Sequence, residues 1–253
     1  MLTEERRQKL QNIISQKKRL VVKDVASALN ISKVTIRKDL EILEKRGLIS
    51  RVHGGAILKE GSVPDLALTE KERLHTDTKL RIADKAIEMI RPGDSIILDS
   101  GSTTTQIARR IKFLKINIKV ITNAINIATE LAGQHNEVVL TGGFLREKSF
   151  SLVGPFAEDA LKNLHADKLF LGVDGIHFDY GLMTPNMMEG RVNQLMMRIA
   201  REIILVADSS KFGKRSMSVI GKIQDVDKVI TDKNIQKDDF NRLRDLGIEI
   251  ILV

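Results

Sequence analysis

Several short runs of small polar residues each follow a β-prone stretch. The longest is Asp99-Ser100-Gly101-Ser102-Thr103-Thr104-Thr105; the others are Thr122-Asn123, Thr141-Gly142-Gly143, Asp174-Gly175 and Asp208-Ser209-Ser210-Lys211. Backbone N–H groups, small hydroxyls and a glycine opening a helix make a cradle for an anion. The alternative is a helix cap rich in Ser and Thr. Carboxylates accept hydrogen bonds from sugar hydroxyls, and a lysine adds positive charge beside a phosphate. The candidates for holding a polyhydroxylated phosphate ester are therefore Asp99, Ser100, Gly101, Ser102, Thr103, Thr104, Thr122, Asn123, Gly142, Gly143, Asp174, Asp208 and Lys211. Neither GxGxxG nor GxxxxGK[ST] occurs in the loop, so it is not a dinucleotide fingerprint or a P-loop.

A second set stands near the N-terminus. The run Ser32-Lys33-Val34-Thr35-Ile36-Arg37-Lys38 opens a helical pattern in which Ile36, Leu40 and Leu43 share one face. Burying that face turns Val34, Lys38, Glu41 and Lys45 outward, with Thr35 and Arg37 flanking. Thr35, Arg37 and Lys38 are placed to meet base edges in a major groove, and Arg37 suits a bidentate bond to guanine. Ser32 and Lys33 favour phosphate at the helix start, while Arg51 and His53 could reach backbone or minor groove. The alternative for Arg37 is an exposed i,i+4 pair with Glu41. Charge distribution favours the DNA reading. Residues 1–58 hold thirteen Lys/Arg against six Asp/Glu, which is +7 of the chain's net +8. A basic segment beside a near-neutral remainder is the footprint of a polyanion-binding module.

These residues need elements to carry them. Helical spacing over Glu4–Gln16 (Thr3 as N-cap), Val22–Leu29 and Ser32–Lys45, a stop at Gly47, and two β-prone runs, Leu48–Val52 and Ala56–Leu58, around His53-Gly54-Gly55 give the order of a winged helix-turn-helix. Residues 59–77 read as a polar linker, partly helical near Glu70–Leu74. Helical and β-rich runs then alternate to the C-terminus. Strands are expected at Ser95–Leu98, Ile118–Ile121, Val138–Leu140, Lys168–Val173, Ile203–Ala207, Lys228–Ile230 and Ile248–Val253, with a hairpin near 144–154. That alternation predicts an α/β domain with a mostly parallel sheet covered by helices. The division is 1–58 for the reader, 59–77 for the linker and 78–253 for effector sensing and oligomerisation. In such a sheet ligands bind beyond the carboxyl ends of the strands.

Composition narrows the chemistry. The 253 residues include no cysteine, which excludes disulfides, thiolate metal sites and a thiol nucleophile. The five histidines show no i,i+3 or i,i+4 pairing, and no GxSxG surrounds any serine, so neither a metal, a cofactor nor a catalytic residue is expected. No apolar run is long enough to span a bilayer and residues 1–19 are too charged for a signal peptide, so a cytoplasmic protein without membrane contact is expected. Aromatics make up 4% with no Trp, which argues against base stacking on single-stranded RNA. Met183, Met187, Met188, Met196 and Met197 read as core packing rather than a partner groove.

The run Val34–Leu40, followed by Leu43-Glu44-Lys45-Arg46-Gly47-Leu48-Ile49-Ser50-Arg51-Val52-His53-Gly54-Gly55-Ala56, resembles the DeoR-type family of bacterial transcription regulators. The likeness extends to the C-terminus. It implies a repressor of a carbohydrate-utilisation operon, acting as a homo-oligomer (dimer or tetramer) on double-stranded operator DNA. It also implies a sensor similar in fold to ribose-5-phosphate isomerase, in which Asp99–Thr105 resembles the phosphate loop and Gly172–Asp174 and Ala207–Lys211 resemble two further segments. A phosphorylated sugar of an amino-sugar or hexitol pathway is the implied effector. The alternative is a sugar-phosphate isomerase or deaminase with a DNA-binding head. Against it, residues 175–193 lack the lysine that such an isomerase keeps beside its acids.

Overall fold

The computed structural model describes residues 3–17, 19–45, 49–58, 63–134 and 136–253. The head comprises α1 (Thr3–Lys17), β1 (Arg19–Val21), α2 (Val22–Leu29), α3 (Lys33–Lys45), β2 (Ile49–Val52) and β3 (Gly55–Leu58). Ile36, Leu40 and Leu43 of α3 are buried against Leu10 and Ile14 of α1. Asp39 is buried on the same helix, where Arg6 and Arg7 of α1 bond its carboxylate. Thr3 lies inside α1 rather than capping it, and the expected stop at Gly47 falls outside the described residues.

The wing has three strands where the sequence suggested two, ordered β1-β3-β2 and antiparallel throughout. β1 is three residues inside a basic run, too short to show an alternation. Gly55 admits it: a Cβ there would stand 2.1 Å from the Leu20 carbonyl oxygen. One residue of this head's core comes from elsewhere. Met217, 4% exposed, packs in the head's apolar cluster, with Met187 half-buried against it.

Beyond the head, the expected linker holds α4 (Leu68–Arg73), and α5 (Thr76–Ile87) starts before its end. The segment is not loose. The Val63 N–H donates to Arg215 O at 2.9 Å, and the buried Asp65 carboxylate lies 2.5 Å from the Arg146 guanidinium.

The α/β domain continues with β4 (Ser95–Leu98), α6 (Ser102–Ile111), β5 (Lys119–Thr122), α7 (Ile125–Leu131), β6 (Glu137–Leu140), the hairpin β7 (Phe144–Arg146) and β8 (Ser151–Val153), α8 (Pro155–Leu161) and β9 (Ala166–Leu171). Then follow β10 (Gly175–His177), β11 (Gly181–Thr184), α9 (Met187–Ile199), β12 (Ala200–Val206), β13 (Ser218–Gly221), β14 (Lys228–Thr231), α10 (Lys237–Asp245) and β15 (Glu249–Leu252). Seven strands pair in parallel in the order β15-β14-β12-β9-β4-β5-β6. Alternation within the strands builds two cores. Ile97, Leu169, Leu171 and Leu205 face α8 and α9, while Ile96, Leu98, Phe170, Ile204 and Val206 face α5 and α6.

The order reverses between β4 and β9. From β4 the chain builds outward through β5 and β6, then returns to place β9 on the other side. This is the switch point at which an open sheet parts its loops and leaves a crevice. A smaller antiparallel sheet, β10-β11-β13, stands beside it and was not legible in the sequence. Its strands are only three or four residues long and one of them lies more than thirty residues from the others.

Candidate DNA-reading helix and ligand cleft

On the head, Ser32 caps α3. Its Oγ accepts the Thr35 N–H at 3.1 Å and lies 2.8 Å from Thr35 Oγ1. Lys33, Arg37 and Lys38 are exposed and, among the described residues, form no ion pair. Glu41 pairs with Lys45 at 3.1 Å instead of with Arg37; Lys45 first, then Arg51 and Lys38, hold its pKa below the usual carboxylate range. Arg51 is exposed but tethered: its N–H donates to Glu44 Oε1 at 2.7 Å and its guanidinium is 3.9 Å from the same carboxylate. His53 is exposed at the wing tip.

In the α/β domain a narrow cleft opens at the switch point. Asp99 follows the end of β4 and Gly172 the end of β9, and the Gly172 N–H donates to Asp99 Oδ1 at 3.0 Å across the two loops. A Cβ at Gly172 would stand 3.3 Å from that carboxylate oxygen, so glycine lets the loops close on it. Ser100, Gly101, Ser102 and Thr103 line the cleft at the start of α6. Helix geometry leaves the first N–H groups of α6 without i−4 partners. The cap expected of a loop rich in Ser and Thr is present. Thr104 is the cap, its hydroxyl accepting the Gly101 N–H at 3.0 Å, while Ser102 and Thr103 face the cleft.

Three lysines and three carboxylates meet there. Lys71 of α4 lies 2.6 Å from Asp174. Burial opposes the Lys71 charge, but Asp174, Glu189 and Asp65 outweigh it and hold its pKa above the ordinary lysine value. Burial likewise opposes the Asp174 charge, and Lys71 with Lys211 pulls its pKa below the usual carboxylate range. Lys79 of α5 is buried and donates to the carbonyls of Lys71 and Leu74; burial lowers its pKa to about 8. Asp99 is pushed up to about 7, chiefly by burial, with Asp174 and Glu189 adding to the effect and the Gly172 bond opposing it. Lys211 is half-buried and forms no ion pair among the described residues. Asp208 stands in an adjoining recess with Lys79 and Lys211, accepting the Ser210 N–H at 3.1 Å.

Other sequence candidates are not brought to the cleft lining. The Thr122 hydroxyl donates to Leu98 O at 2.7 Å and Asn123 Nδ2 to Leu152 O at 3.1 Å, so both tie strand ends together beneath the loops. Gly142 and Gly143 have φ of 73° and 120° and shape the turn into β7; a Cβ at Gly143 would meet Val153 O at 2.7 Å. Conversely, the sequence reading missed Lys71, Lys79, Thr184, Glu189 and Asn193, all of which line the cleft. For Glu189 and Asn193 a signal existed: they are polar residues four apart, flanking the buried Val192 within the apolar register of α9. Lys71, from outside residues 175–193, is the lysine that reaches Asp174, at 2.6 Å.

Comparison with known proteins gives the family. Residues 6–61 match the DeoR-like helix-turn-helix domain and residues 74–233 the DeoR C terminal sensor domain. A protein of Escherichia coli O157:H7, provisionally named the aga operon transcriptional repressor, is 40% identical over 99% of this chain and 94% of its own length. The HTH-type transcriptional regulator GlpR of Haloferax volcanii is 36% identical over 99% of this chain and 98% of its own. The HTH-type transcriptional repressor CsqR of Escherichia coli K12 is 34% identical over 98% and 94%. Among solved structures, ribose 5-phosphate isomerase A from Methanocaldococcus jannaschii aligns over 54% of each chain at 19% identity, with a TM-score of 0.41. The relatives carry the names of regulators, which sets the enzyme alternative aside. A basic, winged reading head and an α/β sensor with a charged cleft at its switch point thus make one regulator, and the chain belongs to the DeoR family of transcription regulators.

Proposed function

We propose that this protein represses a carbohydrate-utilisation operon and that a phosphorylated sugar, bound in the cleft at the switch point, alters its affinity for operator DNA. The observation that carries the ligand reading is convergence. The open N-terminal turn of α6 and the unpaired Lys211 face the same cleft as Asp99, Asp174 and Glu189. The phosphate belongs with the Ser102 and Thr103 backbone N–H groups and the lysines, and the sugar hydroxyls with the carboxylates. Two of the three relatives described above are named as repressors, which supports the sign of the control. The DNA side rests on Lys33, Arg37 and Lys38, exposed cations that form no ion pair among the described residues. One recognition helix reads one half-site, so the working unit is a symmetric oligomer joined through the α/β domain, acting in the cytoplasm where the operator is.

Calorimetry with matched sugars and sugar phosphates, with and without operator, tests both halves of the proposal. Sugar phosphates are expected to bind, unphosphorylated sugars much more weakly. Linkage then requires DNA to change effector affinity by the factor that effector changes DNA affinity, ordinarily about five- to 150-fold. Equal binding of sugar and sugar phosphate would remove the phosphate cradle from the reading.

A further inference from the structure

Among the described residues, several buried side-chain oxygens meet no hydrogen-bond partner, and of these only Asn193 Oδ1 belongs to a residue lining the cleft. Asn123 and Asn126 share the unpartnered oxygen, but each is anchored through its nitrogen, to Leu152 O at 3.1 Å and Thr105 Oγ1 at 2.8 Å. The Asn193 amide is anchored at neither end among the described residues, and the residue is 4% exposed. Buried polar groups are nearly always paired, because leaving one unpaired forfeits its hydration without return. An orphan amide in the wall of a ligand cleft is accounted for if the ligand is its partner. The two ends exchange by a flip of the side chain, so either a donor or an acceptor can be presented.

Asn193 has a neighbour suited to the same task. Glu189 lies one turn earlier on the same face of α9, at i,i+4 spacing. Its Oε1 accepts from Ser151 Oγ at 2.9 Å and from Arg146 Nη1 at 3.4 Å, which fixes the carboxylate in the cleft wall. A fixed acceptor and a free amide four residues apart match hydroxyl groups, which both donate and accept. An anion offers only acceptors and would meet Glu189 unfavourably. The cleft therefore has two differently equipped walls: α6 with the lysines for phosphate, and α9 for hydroxyls.

We propose that Asn193 is a specificity-determining residue that, with Glu189, reads the hydroxyl pattern of the sugar carried on the phosphate. The inference rests on the sugar-phosphate reading of this cleft. Calorimetry on the full-length protein tests it, with inorganic phosphate and a panel of hexose, pentose, amino-sugar and hexitol phosphates as probes. Asn193→Ala is expected to weaken the tightest sugar phosphate on the order of tenfold and to narrow the spread across the panel. Inorganic phosphate should bind as before. Asn193→Ser, which keeps one hydrogen-bonding atom, should recover part of the affinity and change the ranking. It also serves as the readout if a thermal melt shows the alanine variant unfolded. Unchanged affinities and ranking in the folded variant overturn the role of Asn193 while leaving the cleft's ligand class intact. A wild-type protein that binds no member of the panel more tightly than inorganic phosphate overturns the sugar-phosphate reading itself.

Discussion

The reading head and the cleft both use positive charge, and they use it in opposite ways. On α3 Lys33, Arg37 and Lys38 are exposed to water and, among the described residues, form no ion pair. In the cleft Lys71 is locked to Asp174 and Lys79 is sunk among carbonyls, so charge there is balanced and desolvated. On the function proposed above, the difference follows from the ligand. A duplex brings many phosphates and a condensed ion atmosphere, so an uncompensated surface gains by releasing ions. A small effector brings one phosphate and several hydroxyls, and selecting it takes donors and acceptors held in place before it arrives. Exposed charge should therefore respond to salt, and buried charge to pH and to loss of a partner.

Removing a partner in the cleft is the strongest way to break the contrast. Lys71→Ala leaves Asp174 buried and unpaired, and should lower stability by about 3 kcal/mol in urea denaturation. Lys71→Ala combined with Asp174→Asn should recover much of the loss, since the stranded charge is gone. A loss no greater than that of an exposed lysine would show that the pair is solvated. Next in size, Arg37→Ala should cost about 1–3 kcal/mol on operator DNA and far less on random duplex, measured by titration. Equal losses on both would make Arg37 a phosphate contact rather than a base reader.

The pH dependence is smaller and has a definite sign. Folding raises the Asp99 pKa from an ordinary 3.8 to about 7, so between those values the folded state holds the extra proton. Its contribution to stability is largest at acid pH and is lost as pH rises through 7. Ionising it also sets negative charge beside the α6 turn, so sugar-phosphate affinity should fall from pH 6 to pH 8, by less than tenfold per unit for one proton. Loss of the Lys79 charge above about 8 acts in the same direction. Asp99→Asn should flatten the lower part of the profile; a profile identical to wild type would assign the slope to another group. Salt gives the finest distinction. Operator affinity should fall with a log–log slope of roughly 0.9 per phosphate contacted, and Lys33→Ala should reduce that slope by about one contact. Effector affinity should change far less over the same range.

The two regions also differ in how far the sequence reveals them. The α3 face follows from a 3.6-residue period, so Ile36, Leu40 and Leu43 inward and Lys38 outward could be read directly. The parallel sheet was legible for the same local reason. The cleft is assembled from places far apart in the chain, and only residues that end strands announce themselves. Asp99 and Asp174 could be found in that way. Lys71 could not, because nothing local in a polar linker says that its amine ends 2.6 Å from an acid a hundred residues later. Thr122 and Asn123 carry the same signature as Asp99 yet serve as struts, since β5 lies one strand beyond the switch point. Short strands such as β1 and β13 were missed because each holds only two apolar residues, β1 beside a basic run and β13 between Ser218 and Gly221.

Met217 bears on how such regulators can be recombined. Its side chain fills the core of the reading head although it lies more than 150 residues beyond the wing. Cores are packed to crystalline density, so a socket shaped for methionine accepts few substitutes without strain or a void. A head grafted from one relative onto the sensor of another would bring its recognition helix but inherit a stranger's plug. The unit that folds as the head is then not a contiguous stretch of chain. Exchanging specificities should succeed when the α3 surface alone is transplanted, or when residue 217 travels with the head, and should yield poorly folded chimeras when the cut is made only at the linker.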